Sequence, residues 1–436
     1  MMHIAIDPAM RRRVVWSSTI GNALEWFDFT VFGLFAATIG KQFFPKTDPT
    51  AGLLAAYGLL GIAYFARPLG GLFFGTWADR IGRKRALITI VLMMAVGTGL
   101  IGALPTYAMI GVWAPIALLC ARLIQGFSAG GEFGTSTAML IEFAPPNRRG
   151  FYASFQFVAQ SLAFVVGAAF AYVLNSTLSP ESMDSWGWRV PFLSGVIIAP
   201  IGFYLRSAVD ETPAFKAFLA ERAGIRNTPL RDVISQHPVE LVALFLVIAG
   251  LTAYTYIGNI FVTTFAATDL KLKIADAQLG VIVFNLIGAA IIPLAALLTD
   301  RAGRRAVMIP IIVFFTIVYL TLASALVANP SNGALWSLQG SGLIFVFITG
   351  PFAALALETF PVGVRSTGAS IVYNFGVAIF GGLSPLITQS LVALTGSKFA
   401  PFYYLAGCLA LSLIGLAILP KREVGGEVQG EAVLAK

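Results

Sequence analysis

"GTWADRIGRKR" at residues 75 to 85 comes back as "AALLTDRAGRR" at residues 295 to 305, and that return decides how the chain is built. Asp79 and Asp300 stand 221 residues apart. A second pair agrees: "EFAPPNRRG" from Glu142 and "ETFPVGVRS" from Glu358 are offset by 216, which aligns Pro145 with Pro361 and Arg149 with Arg365. Two motifs returning at nearly one spacing mark a duplicated unit about half the chain long.

Around these motifs the chain is apolar. Of 436 residues, 57% are hydrophobic and 11% charged, with a mean hydropathy of +0.82; a soluble domain carries roughly 25% charged residues. A bilayer core about 30 Å thick needs about 20 apolar residues per helix. Such runs recur at 14–40, 51–77, 86–108, 111–143, 151–174, 188–207, 239–268, 277–299, 306–328, 335–360, 366–394 and 400–419. The pattern predicts an all-α integral membrane protein with twelve transmembrane helices, in two six-helix bundles related by pseudo-two-fold symmetry. Residues 1–207 form the N-terminal bundle, 208–238 an amphipathic cytoplasmic linker, and 239–436 the C-terminal bundle with a short cytoplasmic tail. The run from Val14 is too long and too acidic for a cleaved signal segment and reads as the first span.

With both termini inside, 21 of the 29 Lys and Arg fall on the cytoplasmic side and 6 on the other. That asymmetry is the positive-inside rule, and it places the protein in the cell's inner membrane with both termini cytoplasmic. It also accounts for the net charge of +8 without nucleic acid. Cys120 and Cys408 each lie in an apolar run, which leaves no disulfide framework or CxxC metal motif. His3 and His237 fall outside the spans, so a proton crossing the interior must ride on a carboxylate. No nucleophile with a base and no metal cluster marks a membrane enzyme, and no cofactor or metal is expected. A channel fits less well, because a two-fold repeat with buried opposite charges suits halves that rock.

The loop motifs read as gates. Asp79, Arg80, Arg83 and Arg85 sit at cytoplasmic helix ends, where a carboxylate can face a neighbouring helix N-terminus and arginines can pair with Glu142. Gly75 belongs to the same motif. Its second-half counterparts are Asp300, Arg301, Arg304 and Arg305, joined by Arg149, Glu358 and Arg365 from the second pair. Such contacts hold the halves together and must break when the inside opens. Gly82 and Gly303 suit the tight turn between helices.

The first span poses a different question, since "TIGNALEWFDFTVFG" at 19–33 puts Asn22, Glu25 and Asp28 into apolar helix. At 1.5 Å per residue, Glu25 and Asp28 lie about 16 and 21 Å from Val14, near the bilayer middle. Spaced by three, the polar residues fall along one helical stripe. Arg122 is at similar depth, with Glu132 further toward the cytoplasm. A charge there costs at least about 2.5 kcal/mol and is tolerated only beside a polar cavity or another charge. One reading is a structural pair with Arg122 that locks helices one and four. The other is a cavity between the halves, in which Arg122 clasps a carboxylate bidentately and Glu25, Asp28 or Glu132 carries a proton. One arginine cannot neutralise three acids, which favours the second. Arg67 is either a second anion anchor or a partner across helices. Gln156, Gln160, Tyr254, Tyr256, Asn259, Asn285, Tyr373 and Asn374 either complete the site or bond between helices. Gly126, Gly130 and Gly134, spaced by four, let helix four pack closely on a neighbour.

The loop motifs, with Arg122, Gln125, Gly126 and Gly130, resemble the major facilitator superfamily. "GNALEWFDF", "RPLGGLFFG" and "RLIQGFSAGGEFG" look like its metabolite:proton symporter branch, which includes citrate, ketoglutarate, shikimate and osmolyte carriers. "AIFGGLSPLITQSLVALTG" at 378–396 most resembles the citrate and tricarballylate carriers. One departure is Ala296, where the motif would have glycine, so looser helix packing is expected there. The resemblance implies secondary active transport by alternating access: proton-coupled symport of a small organic anion such as citrate or ketoglutarate, or of a zwitterionic osmolyte such as betaine or proline. Sodium is the alternative coupling ion. The implied partners are a small organic acid, protons and the lipid bilayer, with the carrier acting as a monomer.

Overall fold

The computed structural model describes residues 8–45, 49–81, 83–207, 229–360 and 365–420. The first half holds α1 (Pro8–Leu34), α2 (Pro49–Ile81), α3 (Arg83–Ala103), α4 (Trp113–Ala129, continued by Glu132–Glu142), α5 (Arg149–Thr177) and α6 (Arg189–Ser207). The second holds α7 (Pro238–Thr268), α8 (Ile274–Ala302), α9 (Arg304–Ala328), α10 (Asn332–Glu358), α11 (Thr367–Thr395) and α12 (Ala400–Ile418). Among the described residues, eight helices are long and apolar enough to cross a membrane, and α1 with its bent continuation makes a ninth. The shorter or interrupted α3, α4 and α6 complete the twelve.

Several expected spans are interrupted, the first and the fourth among them. The first starts at Pro8 and turns by 66° at Phe35 into a short helix, Ala36–Phe43. That helix lies hard against α2: a Cβ on Gly40 would stand 2.7 Å from the carbonyl carbon of Gly52. The fourth breaks at Gly130 and Gly131. Of the linker, the helix Pro229–Gln236 is described, and residues 208–228 lie outside the described residues.

Because lipid offers no hydrophobic drive between helices, small residues set how closely they approach. A Cβ on Gly126 would fall 1.8 Å from the Ala63 carbonyl oxygen, and one on Gly130 1.9 Å from that of Arg67. Backbone touches backbone where α4 crosses α2. Ala296 does not loosen its surroundings as expected. It is fully buried, and the close approach uses a glycine on the facing helix, since a Cβ on Gly350 of α10 would stand 2.9 Å from the Ile292 carbonyl oxygen.

The halves meet where α2 packs on α11 and where α5 packs on α8. By the repeat, α2 corresponds to α8 and α5 to α11, so this is one contact made twice. Phe133 of α4 also stacks on Tyr373 of α11, centroids 3.4 Å apart.

Candidate transport site

The polar residues of α1 do not share a stripe. With 3.6 residues per turn, each step of three turns back by about 60°, and the three side chains fan toward three neighbours. Asn22 donates to the Gln156 carbonyl of α5 at 2.8 Å. Glu25 meets Arg67 of α2, Oε1 to Nη2 2.6 Å, with both side chains almost fully buried. Asp28 accepts from the Thr98 hydroxyl of α3.

Arg67 is therefore the partner across helices, not a vacant second anchor. It is also the arginine at the seam: its Nε donates to Asn374 Oδ1 of α11 at 3.3 Å, and Asn374 Nδ2 donates to the Gly130 carbonyl at 3.1 Å. The faces of Tyr64 and Phe29 lie 5.4 and 5.6 Å from its guanidinium carbon, within cation–π range.

Arg122 faces the interior of the first half. Its guanidinium carbon lies over Phe32 at 4.1 Å and Phe29 at 4.9 Å, and Nη1 donates to Gln125 Oε1 at 2.7 Å. Gln125 Nε2 donates to Thr98 Oγ1 at 2.6 Å, so a chain of side chains runs from Arg122 to Asp28. The Nε and Nη2 of Arg122 have no hydrogen-bond partner among the described residues. The expected Glu–Arg122 lock between helices one and four is replaced by this relay through α3. Glu132 is fully buried at the start of the lower segment of α4.

Between α5, α7, α8 and α10 lies a cavity of about 70 Å³, room for about five waters. Gln160, Tyr254, Asn259 and Asn285 line it, as does Gln339, whose Oε1 is buried without a partner. Asn285 Nδ2 donates to Asn259 Oδ1 at 2.6 Å. Rings of Phe157, Phe164, Phe284 and Phe345 complete the wall, and no charged side chain lines the cavity among the described residues. Six of the residues expected to complete the site lie outside the lining, Tyr373 among them, stacked on Phe133. Arg122 is held as above; Asn22 and Gln156 serve packing within the first half, where Gln156 Nε2 donates to Thr137 at 2.9 Å and also to Ser136. Asn374 belongs to the seam, and Tyr256 donates to the Tyr64 hydroxyl while its ring packs on Trp26 at 6.1 Å. Trp26 in turn packs on the cavity-lining Phe164 at 6.5 Å. An aromatic layer thus stands between the cavity and the Glu25–Arg67 pair. A second, smaller cavity of about 20 Å³ is lined by both Glu25 and Asp28.

At the end of the bundle where α8 turns into α9, Gly303 takes φ +87°, the conformation that favours glycine. Asp300 accepts from the backbone N–H of Gly150 and of Phe151, both at 3.2 Å, in the first turn of α5. Arg304 meets Asp300 at 3.1 Å and grips Glu358 through Nε and Nη2 at 2.7 and 2.8 Å. The second half is tied to the first by a carboxylate at a helix N-terminus, steadied by a bidentate arginine. Arg305 holds the carbonyls of Leu419 and Pro420, Arg301 is exposed, and Arg149 opens α5. Gly75 lies in α2; Gly82 and the side chains of Asp79, Arg80, Arg83, Arg85, Glu142 and Arg365 lie outside the described residues.

A family model for sugar (and other) transporters matches residues 14–228. A citrate-proton symporter of Klebsiella pneumoniae is 34% identical over 409 residues, 93% of this chain and 90% of that one. The chain belongs to the major facilitator superfamily. This carrier is also 33% identical over 427 residues to a proline/betaine transporter of Salmonella typhimurium, covering 94% of it and 83% of the relative. The carrier's fold matches a D-xylose-proton symporter with a TM-score of 0.75 at 20% identity, over 95% of this chain and 99% of that one. Its relatives are transporters, not enzymes.

Thr98 and Gln339 escaped the sequence reading. Thr98 is an ordinary residue in an apolar run, and Gln339 sits at the end of the first segment of α10; only the packing turns them toward Asp28 and the cavity. The hydroxyl of Thr98 reaches the Met94 carbonyl four residues back, but Thr30, Thr137 and Thr255 do the same, so that spacing marks no site.

Proposed function

We propose that this carrier couples inward proton movement to uptake of a small organic anion, a di- or tricarboxylate such as citrate or ketoglutarate. The Glu25–Arg67 pair at the seam, bridged to Asn374 of the other half, supports the reading. With Glu25 ionised, Arg67 is already neutralised. Protonating Glu25 leaves a buried guanidinium short of an anion, a costly state that a substrate carboxylate relieves by taking Glu25's place. Proton and anion then enter together. Asp28 is the first seat of the proton, and the cavity of about 20 Å³ it shares with Glu25 has room for one water to pass the proton on. The uncharged cavity holds the rest of the substrate. The aromatic layer of Trp26, Tyr64 and Tyr256 separates the two regions until the halves rock. The Asp300–Arg304–Glu358 cluster lies on the cytoplasmic side and must release α5 when that side opens.

Uptake into proteoliposomes tests this. Citrate or ketoglutarate accumulates only under an inward proton gradient, in sodium-free buffer as well, and accumulation indifferent to the pH difference overturns proton coupling. A second reading, a zwitterionic osmolyte such as betaine or proline, draws on the cavity wall: aromatic faces without charged neighbours suit a quaternary ammonium. Competition by betaine and not by dicarboxylates decides for it.

A further inference from the structure

Resting on the reading that Asp28 seats the proton, we propose that Thr98 positions that proton, its hydroxyl acting as a rotor between the Asp28 carboxylate and the Met94 carbonyl.

The hydroxyl oxygen stands within hydrogen-bond reach of three groups: Asp28 Oδ2, the Met94 carbonyl at 2.9 Å and Gln125 Nε2 at 2.6 Å. A hydroxyl has one proton to give and two lone pairs to receive. While Asp28 is ionised, Thr98 gives its proton to the carboxylate and receives from Gln125. Once Asp28 is protonated, the direction reverses. The new carboxyl O–H donates to Thr98, which still receives from Gln125 and swings its own proton to Met94. Donors and acceptors balance in both states with no heavy atom moving. A donor-only side chain at this position leaves the protonated state unsatisfied, and an apolar one leaves both unsatisfied, the ionised state losing the stronger hydrogen bond.

The surroundings isolate this switch. On its own helix, Asp28 has Glu25 one turn away, paired with Arg67 of α2. The α4 side presents Arg122 through Gln125. From α6 the backbone approaches at Gly195: a Cβ there would stand 3.6 Å from Asp28 Oδ1 and 3.0 Å from the Thr98 methyl. The close approach of α6 and the hydrogen bonds of the hydroxyl narrow the choice at a residue type that otherwise divides between two rotamers in a helix. The rotor also has a listener. Gln125 ties Thr98 to Arg122, whose Nε and Nη2 are buried without partners, so loss of the Asp28 charge is felt on α4.

An infrared titration of the purified carrier without substrate tests the assignment. Asp28→Asn should delete one protonated-carboxyl band; if no band disappears, Asp28 is not a proton seat, and the functional reading fails first. Given that band, Thr98→Val should move its midpoint upward by about one pH unit, the difference between a hydrogen bond to a carboxylate and one to a neutral carboxyl. Thr98→Ser should restore it. A purely packing role would lower the melting temperature of Thr98→Val and leave the midpoint in place, which overturns the proposal, as does a displaced midpoint in Thr98→Ser. Should the valine variant fail to reach the membrane, Thr98→Cys, a weaker donor, is read the same way: a smaller upward move supports the rotor and an unmoved midpoint refutes it.

Discussion

Replacing Glu25 with glutamine removes the charge opposite Arg67 at nearly unchanged side-chain volume. Arg67 is fully buried, and what it retains is Asn374 at 3.3 Å and two ring faces at 5.4 and 5.6 Å. Truncating one partner of a buried ion pair costs about 3–5 kcal/mol; the rings and the amide offset up to about 2 kcal/mol of it. Glu25→Gln should therefore lose about 1–5 kcal/mol of stability, read by thermal unfolding in detergent. The double variant Glu25→Gln/Arg67→Met should regain most of that loss, because no buried charge remains. The second readout is ligand stabilisation. Substrate anion competes with ionised Glu25 for Arg67, so in the wild type citrate should stabilise more strongly as pH falls. In Glu25→Gln the effect should be independent of pH and reach about 2.7 kcal/mol at a hundredfold excess over Kd. A single variant as stable as the wild type, with the wild-type pH dependence of binding intact, would falsify the anion exchange at Arg67.

Arg304→Ala leaves Asp300 and Glu358 without their shared cation and should weaken the tie to α5. A cysteine at Phe157 would then react faster with a membrane-impermeant maleimide from the cytoplasmic side, and an unchanged rate counts against the latch. Gly382→Ala would set a Cβ 2.3 Å from the Tyr64 ring; it should cost about 1–3 kcal/mol and slow uptake more than it weakens binding. Asn285→Ala orphans Asn259 Oδ1, which should cost about 1 kcal/mol of stability and raise KM with kcat nearly unchanged.

Depth along a helix was readable from the chain, because rise per residue is fixed and apolar runs fill the bilayer. Direction around a helix was not. Arg67 and Arg122 both read as buried arginines near the first span, and which one meets Glu25 depends on how α2 and α4 cross. That crossing is set by backbone-to-backbone approach at Gly126 and Gly130, which glycine spacing suggests and does not locate. The cluster of Asp300, Arg304 and Glu358 was easier to find, because all three stand in the repeated motifs at helix ends, although Glu358 is brought to Arg304 from 54 residues away. The bend at Phe35 was hidden because no proline announces it; it accompanies a close approach between Gly40 and Gly52 from separate helices. Among the uncharged candidates, the same ambiguity of direction left Gln160, Tyr254 and Asn259 in the cavity and Gln156 and Asn22 out of it.

The cavity's wall is drawn mostly from α7, α8 and α10, whereas Glu25, Asp28, Arg67 and Arg122 all belong to the first half. On the proposed reading, most of the substrate's surroundings and the proton-bearing carboxylates thus lie in different halves of one chain, with Arg67 the point where the two meet. Exchanging the second half between related carriers should change what is carried while the same ion continues to drive it, so diversification of diet can proceed without rebuilding the motor.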